Sequence, residues 1–126
     1  MQRHEDWIDF AEQDLAIAKL VLREGVIFKP AFFNTQQCSE KALKGYLARE
    51  KESITMTHNL AALLWQCDKH KKEFVDLLEK ISILNTYTIK SRYPQKHRFF
   101  VNKELLNDAI EKAAFVLNFV KDCIGK

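Results

Sequence analysis

Residues 30–50, with the sequence PAFFNTQQCSEKALKGYLARE, carry the pattern that decides the fold. Apolar side chains recur along this stretch at the three- and four-residue spacing of one helix face: Cys38, Ala42, Leu43, Tyr46 and Leu47. Pro30 opens the stretch, and proline is tolerated in a first helical turn. We therefore predict a long helix from about Pro30 to about Glu50, with this face turned inward.

The same helical period continues on both sides of that stretch. Only three glycines and two prolines interrupt the chain, so few positions break a helix. We predict a first helix over residues 5–24 that Gly25 ends, and a last helix that Asn102 caps. A short third helix should follow a cap at Thr57 or His58, and a fourth should run over residues 72–90.

These elements predict an all-α fold, an up-and-down helical bundle of four long helices plus one short helix. At 126 residues the chain is expected to form one domain over residues 1–126. Charged residues make up 29% of it, and no apolar run approaches the roughly 20 residues needed to cross a bilayer. The polar N-terminus does not resemble a secretory signal.

The cysteines, Cys38, Cys67 and Cys123, are three in number and widely spaced. They form no CxxC pair, which argues against a disulfide framework or a zinc site and favours a reducing, cytoplasmic location. The sequence also lacks the HExxH, P-loop and GxGxxG motifs. We therefore expect neither a metal nor a cofactor.

Positive charge is concentrated near the predicted end of the fourth helix. Residues 80–103 contain six lysines and arginines and no carboxylate; since the whole chain has a formal charge of +3, the remainder carries −3. Such a local cationic field beside aromatic residues suits a phosphate-bearing partner. We predict phosphate or nucleotide contacts from Tyr93, Lys96 and Arg98. The alternative is a solvated basic loop between two helices.

Arg92 and His97 are the residues of this segment that could act on a phosphodiester. A guanidinium can hold a phosphate bidentately and stabilise charge that grows on its oxygens. A histidine titrates near neutrality and can exchange a proton with a ribose hydroxyl. The structural alternative is that Arg92 anchors the end of the fourth helix and that His97 is merely exposed.

The second helix carries a set of polar side chains at helical spacing. Gln36, Glu40 and Lys44 are four apart and share one face, while Gln37 and Lys41 lie on an adjacent face. One interpretation is a ladder of ion pairs that faces solvent. The other is a polar seam that lines a cleft beside Arg92, with Lys44 binding phosphate and Glu40 and Lys41 in supporting roles.

Three further apolar residues lie off the main face of the fourth helix: Val75, Ile83 and Ile89. Surplus apolar surface on a small bundle usually marks an interface. We therefore predict a two-fold homodimer.

Four stretches together resemble the HEPN (higher eukaryotes and prokaryotes nucleotide-binding) domain family, in its stand-alone prokaryotic form. They span most of the chain, and they are Asp6-Trp7 with residues 11–15, then residues 32–44, residues 57–60, and Arg92-Tyr93-Pro94. The bundle predicted above agrees with that family's fold.

The resemblance implies a function. Many such members are encoded beside a minimal nucleotidyltransferase, as toxin–antitoxin pairs, so that enzyme is the implied partner protein. Several HEPN branches are metal-independent ribonucleases whose arginine and histidine, four to six residues apart, meet at a homodimer cleft. Arg92 and His97 match that spacing, and Glu40 and Lys44 fall where polar residues face the site. Because Tyr93-Pro94 departs from the ribonuclease pattern, the alternative is a non-catalytic nucleotide-binding or protein-interaction adaptor.

Overall fold

The computed structural model describes residues 3–25, 27–54, 57–92 and 101–125. Within these ranges the chain forms five α-helices and no strand. The helices are α1 (His4–Glu24), α2 (Lys29–Arg49), α3 (Leu60–Asp68), α4 (Leu78–Arg92) and α5 (Lys103–Ile124), and a 3₁₀ helix (Lys72–Leu77) lies between α3 and α4. The predicted all-α fold of four long helices and one short helix is confirmed.

Two predicted helix ends are confirmed by their hydrogen bonds. Gly25 adopts a left-handed φ of 71° after α1, and its N–H donates to the Val21 carbonyl at 2.8 Å. At the start of α5, the Asn102 side chain accepts a hydrogen bond from the Leu105 N–H at 2.8 Å. Both arrangements satisfy backbone groups that a helix end leaves without an intrahelical partner.

The predicted cap of α3 is wrong by one or two residues. Asn59, rather than Thr57 or His58, accepts a hydrogen bond from the Ala62 N–H at 3.2 Å. The Thr57 hydroxyl instead accepts from the Asn59 N–H, which supports the turn before the helix. The His58 ring is therefore left for another contact, described below.

The predicted fourth helix is divided between two helical forms. Residues Lys72–Leu77 form the 3₁₀ helix, and α-helical geometry begins only at Leu78. In a 3₁₀ helix, side chains three residues apart align, and Phe74 and Leu77 are accordingly both fully buried. The Asp68 carboxylate accepts a hydrogen bond from the Val75 N–H, which helps to hold the turn.

Helix α2 forms the centre of the bundle because it packs against α1, α3, α4 and α5. At Gly45, an added Cβ would lie only 3.1 Å from the Ile8 side chain, so glycine permits the close approach of α1. Central placement buries polar residues as well as apolar ones: Thr35, Gln36, Ser39, Glu40 and Lys44. The interpretation of Gln36, Glu40 and Lys44 as a solvent-facing ladder is therefore wrong.

The outer surface retains apolar side chains. Val75 and Ile89, two of the residues behind the dimer prediction, are 40% and 47% exposed, whereas Ile83 is half-buried. None of the helices in the described ranges combines the length and apolar character needed to span a bilayer.

Candidate phosphate-binding site

A cleft of about 340 Å³ lies where the N-terminal half of α2 faces the C-terminal half of α4. We call it the Arg92 cleft. It is lined by six polar residues and by two apolar residues, Phe33 and Ile89. The full set consists of Phe33, Gln36 and Gln37 from α2, Asn85, Thr88, Ile89 and Arg92 from α4, and His58 from the segment before α3. The α4 residues follow one helix face, since they are spaced by three or four positions.

Thr88 fixes α4 against α2 at the base of the cleft. Its hydroxyl lies 3.3 Å from the Phe32 carbonyl of α2 and 3.0 Å from the Leu84 carbonyl of its own helix. Because Thr88 is only 5% exposed, these contacts satisfy a buried hydroxyl. The Thr88 side chain therefore connects the two helices that form the cleft.

Arg92 is the cation at the wall of this cleft. Its guanidinium carbon lies 4.2 Å from the centre of the Phe33 ring, and the residue is exposed. Among the described residues, no carboxylate pairs with it within 4.0 Å. A second cleft, of about 360 Å³, shares Arg92 and Phe33 and is also lined by Lys29, Pro30 and Ser91. Arg92 therefore lines two neighbouring concave surfaces, and within the described ranges its charge is not paired with a carboxylate.

Behind the Arg92 cleft lies a buried carboxylate, Glu40, which is 1% exposed. Lys44 donates to it at 3.0 Å, and the Gln37 amide donates at 3.3 Å. His58 Nδ1 lies 3.1 and 3.2 Å from its two oxygens. A buried charge is costly unless it is paired and hydrogen-bonded, and these three groups meet that need.

Lys41 and Lys44 of α2 lie near this carboxylate without lining the cleft. Lys44 is 6% exposed, and its ammonium lies 5.6 Å from the centre of the Trp7 ring. Lys41 donates to the Gln37 side-chain carbonyl at 2.9 Å and lies 3.9 Å from Asp14. The Gln37 amide therefore links Lys41 to Glu40, and both lysines are within reach of a carboxylate.

The structure thus brings together some of the residues that the sequence singled out. Arg92 lies in the cleft wall, while Glu40, Lys41 and Lys44 form the polar layer beside it. His97 and the predicted contact residues Tyr93, Lys96 and Arg98 lie outside the described residues.

Sequence reasoning missed several lining residues, among them Asn85 and Thr88. The spacing of the sequence could have identified them. Asn85 and Thr88 precede Arg92 by seven and four positions, and they therefore share its helix face. His58 was interpreted as a cap, and its contact with Glu40 joins residues 18 positions apart, which no local pattern reveals.

The described residues contain no group of three or more His, Cys, Asp or Glu side chains arranged to hold a metal ion. The polar groups of the cleft are instead amides, a hydroxyl, a guanidinium and an imidazole. Side chains of these types can bind oxyanions and bases through hydrogen bonds and charge.

Comparison with known proteins agrees with this fold along nearly the whole chain. The model of the HEPN domain family matches residues 4–123. The chain therefore belongs to the HEPN domain family. A Methanocaldococcus jannaschii protein named "Putative toxin MJ1304" is 26% identical over an alignment of length 129, which covers 92% of this chain and 84% of that protein.

Two solved structures share the fold over nearly their full length. One is the crystal structure of ST0689, an archaeal HEPN homologue, with a TM-score of 0.79 and 31% identity over 98% of this chain and 99% of the other. The second is the crystal structure of TT1696 from Thermus thermophilus, with a TM-score of 0.83 and 28% identity over 97% of this chain and 98% of the other.

Proposed function

We propose that this HEPN protein is the toxin-like component of a two-protein system and that it binds RNA phosphate at the Arg92 cleft. The observation that carries the proposal is the position of Arg92, an exposed guanidinium without a carboxylate partner among the described residues, at the wall of the cleft between α2 and α4. The similarity to a relative named as a toxin supports the same assignment. The implied partner is a minimal nucleotidyltransferase acting as antitoxin.

We further propose that the bound RNA is cleaved without a metal. The ribose 2′-oxygen attacks phosphorus and forms the new O2′–P bond, while the P–O5′ bond breaks. The products are a 2′,3′-cyclic phosphate and a 5′-hydroxyl. Arg92 stabilises the charge on the phosphate oxygens. His97, assigned from its spacing to Arg92, transfers the proton that leaves the 2′-hydroxyl or the proton that reaches the O5′ leaving group.

A two-fold homodimer is part of the proposal. Ile89 is 47% exposed, and it lies on the same wall of the cleft as Arg92. An interface over this apolar residue would bring the clefts of two copies together, so that each copy contributes an arginine and a histidine. Light scattering at tens of micromolar that shows only monomer would remove the support for a composite site.

Induced expression in a bacterial host tests the toxin assignment. We expect growth arrest from the wild-type protein and relief by Arg92→Gln. Lys90→Gln is the matched control, because Lys90 is an exposed cation on the same helix that does not line the cleft. Arrest that persists with a folded, equally expressed Arg92→Gln variant would contradict the proposal.

Purified protein tests the chemistry. Cleavage should persist in EDTA, should leave a 2′,3′-cyclic phosphate, and should fail on RNA with a 2′-deoxyribose at the cut position. His97→Ala should lose most of the rate while it retains RNA affinity, since its role lies in proton transfer.

A second candidate function is a non-catalytic nucleotide-binding or protein-interaction adaptor. The observation that favours it is the apolar part of the cleft wall, where the Phe33 ring and the exposed Ile89 offer contact surface without reactive groups. Wild-type protein that binds RNA through Arg92 and leaves it uncut would support the adaptor.

A further inference from the structure

His58 joins the Arg92 cleft to the buried carboxylate behind it. The residue lines the cleft, and its side chain is 79% exposed. Its Nδ1 atom nevertheless lies within 3.2 Å of both oxygens of Glu40, which is 1% exposed. Asn59 caps α3, so His58 does not have the capping role that the sequence predicted for it.

The contact with Glu40 determines which ring nitrogen of His58 carries a proton when the ring is neutral. An ionised carboxylate can only accept hydrogen bonds, so Nδ1 of His58 carries a proton and donates it. The opposite ring atom, Nε2, has no hydrogen-bond partner among residues 3–25, 27–54, 57–92 and 101–125. When the ring is neutral, Nε2 is an acceptor; when the ring is protonated, Nε2–H is a charged donor.

The charged groups near His58 carry a net positive charge. From α2 it meets Glu40 directly, and the ammonium of Lys44 lies 3.0 Å from that carboxylate. From α4, Arg92 faces the same cleft. Glu40 and Lys44 offset each other, so these groups together leave about one positive charge while His58 is neutral. Protonation of His58 adds a second cation to the lining of the cleft.

We infer that His58 and Arg92 form a two-sided subsite for a phosphodiester group, in which protonated His58 donates from Nε2 and Glu40 acts as the positioning residue. This inference rests on the proposed function, since it concerns the same cleft, and it adds a second contact residue and a pH dependence. An anion binds a protonated imidazole more tightly than a neutral one, so affinity should be greater at acidic pH than at alkaline pH.

The probe is a 2′-O-methyl oligouridine, chosen for three reasons. Its phosphodiesters do not titrate near neutral pH, and uracil does not either, so the ligand contributes no pH dependence of its own. Its blocked 2′-oxygen prevents cleavage, which separates binding from catalysis. Affinity is measured by fluorescence anisotropy at fixed ionic strength from about pH 8 to about pH 5.5, the range in which histidine titrates.

The measurement is made in a His97→Gln background, so that the histidine of the basic segment does not contribute. In that background we expect affinity to rise by roughly tenfold as pH falls, the size of one charge-assisted hydrogen bond. Adding His58→Gln should abolish this rise. Adding Glu40→Gln should reduce it, because the ring loses the carboxylate contact that orients it.

His70→Gln provides a matched control, because His70 also pairs with a glutamate 18 positions away, Glu52, but lies outside the cleft. It should leave the rise intact. Binding that requires Arg92 but is unchanged at every pH by His58→Gln overturns the inference and leaves the proposed function standing. Binding that Arg92→Gln does not weaken overturns both. Circular dichroism of each variant confirms that the fold is retained.

Discussion

The guanidinium of Arg92 lies 4.2 Å from the centre of the Phe33 ring, so the last turn of α4 is stacked on the first turns of α2. A stacked guanidinium keeps its edge free for an oxyanion while its plane is held by the ring. The contact therefore holds the guanidinium of Arg92 in position without an opposite charge from the ring.

Replacing Phe33 with leucine should weaken RNA binding by about two- to fivefold, the effect of losing one exposed cation–π contact. Leucine keeps the position apolar but removes the π face that orients Arg92. Phe115→Leu is the control, since Phe115 stacks with Lys80 at 4.3 Å and lies outside the Arg92 cleft. Equal losses from both substitutions, measured by anisotropy with 2′-O-methyl RNA, would contradict a local role for Phe33.

RNA affinity should fall steeply as salt concentration rises, because lysine and arginine contacts release counterions from phosphate. If Lys96 and Arg98 make two such contacts, the double substitution to glutamine should flatten the log–log salt slope by about 1.4. Affinity should fall for all sequences alike. An unchanged slope would place the contact surface elsewhere on the protein.

Lys44→Met should destabilise the fold by about 3–5 kcal/mol, because it leaves the Glu40 carboxylate buried without its ammonium partner. The double variant Glu40→Gln/Lys44→Met should recover most of that loss in urea unfolding. Lys121→Met is the control, because the Lys121–Glu12 pair is half exposed and worth at most about 1 kcal/mol. Equal losses from the two single substitutions would mean that burial does not strengthen the Glu40–Lys44 coupling.

The buried cysteines should resist alkylation in the folded protein. Burial raises the pKa of Cys38 to about 12, with the charges of Asp14 and Glu12 adding to the effect, and burial also raises the pKa of Cys67. Both thiols should remain protonated at about pH 8, and the thiolate is the nucleophile. Mass spectrometry should find modification at the half-buried Cys123 alone until denaturant is added. Rapid labelling of Cys38 in native conditions would contradict the packing of α2 against α5.

The helical bundle was predictable from the sequence because a helix with one buried face carries apolar residues at regular three- and four-residue spacing. In α5, for example, Ala109, Ala113 and Val120 were expected inside and are fully buried. The division of the fourth helix was not predictable. Phe74 and Leu77 are three apart, a spacing that 3₁₀ and α geometry both allow.

The burial of Glu40 and Lys44 in the polar layer behind the cleft was not predicted from the sequence, for a different reason. Charged residues four apart on a helix usually face solvent. Glu40 and Lys44 are buried because α2 is surrounded by four other helices. The spacing of residues along a single helix does not reveal this packing. The partner that completes this layer, His58, comes from a turn whose own sequence indicates capping.

The most direct test of the central claim is the affinity of the wild-type protein and of Arg92→Gln for 2′-O-methyl oligouridine at one pH and salt concentration. Lys90→Gln, an exposed cation two residues away on α4, supplies the control for net charge. We predict a loss of roughly ten- to a hundredfold for Arg92→Gln, as expected for one hydrogen-bonded charge contact, and less than a threefold loss for Lys90→Gln. Equal affinities for the wild-type protein and Arg92→Gln would contradict the assignment of this cleft as the site of phosphate binding.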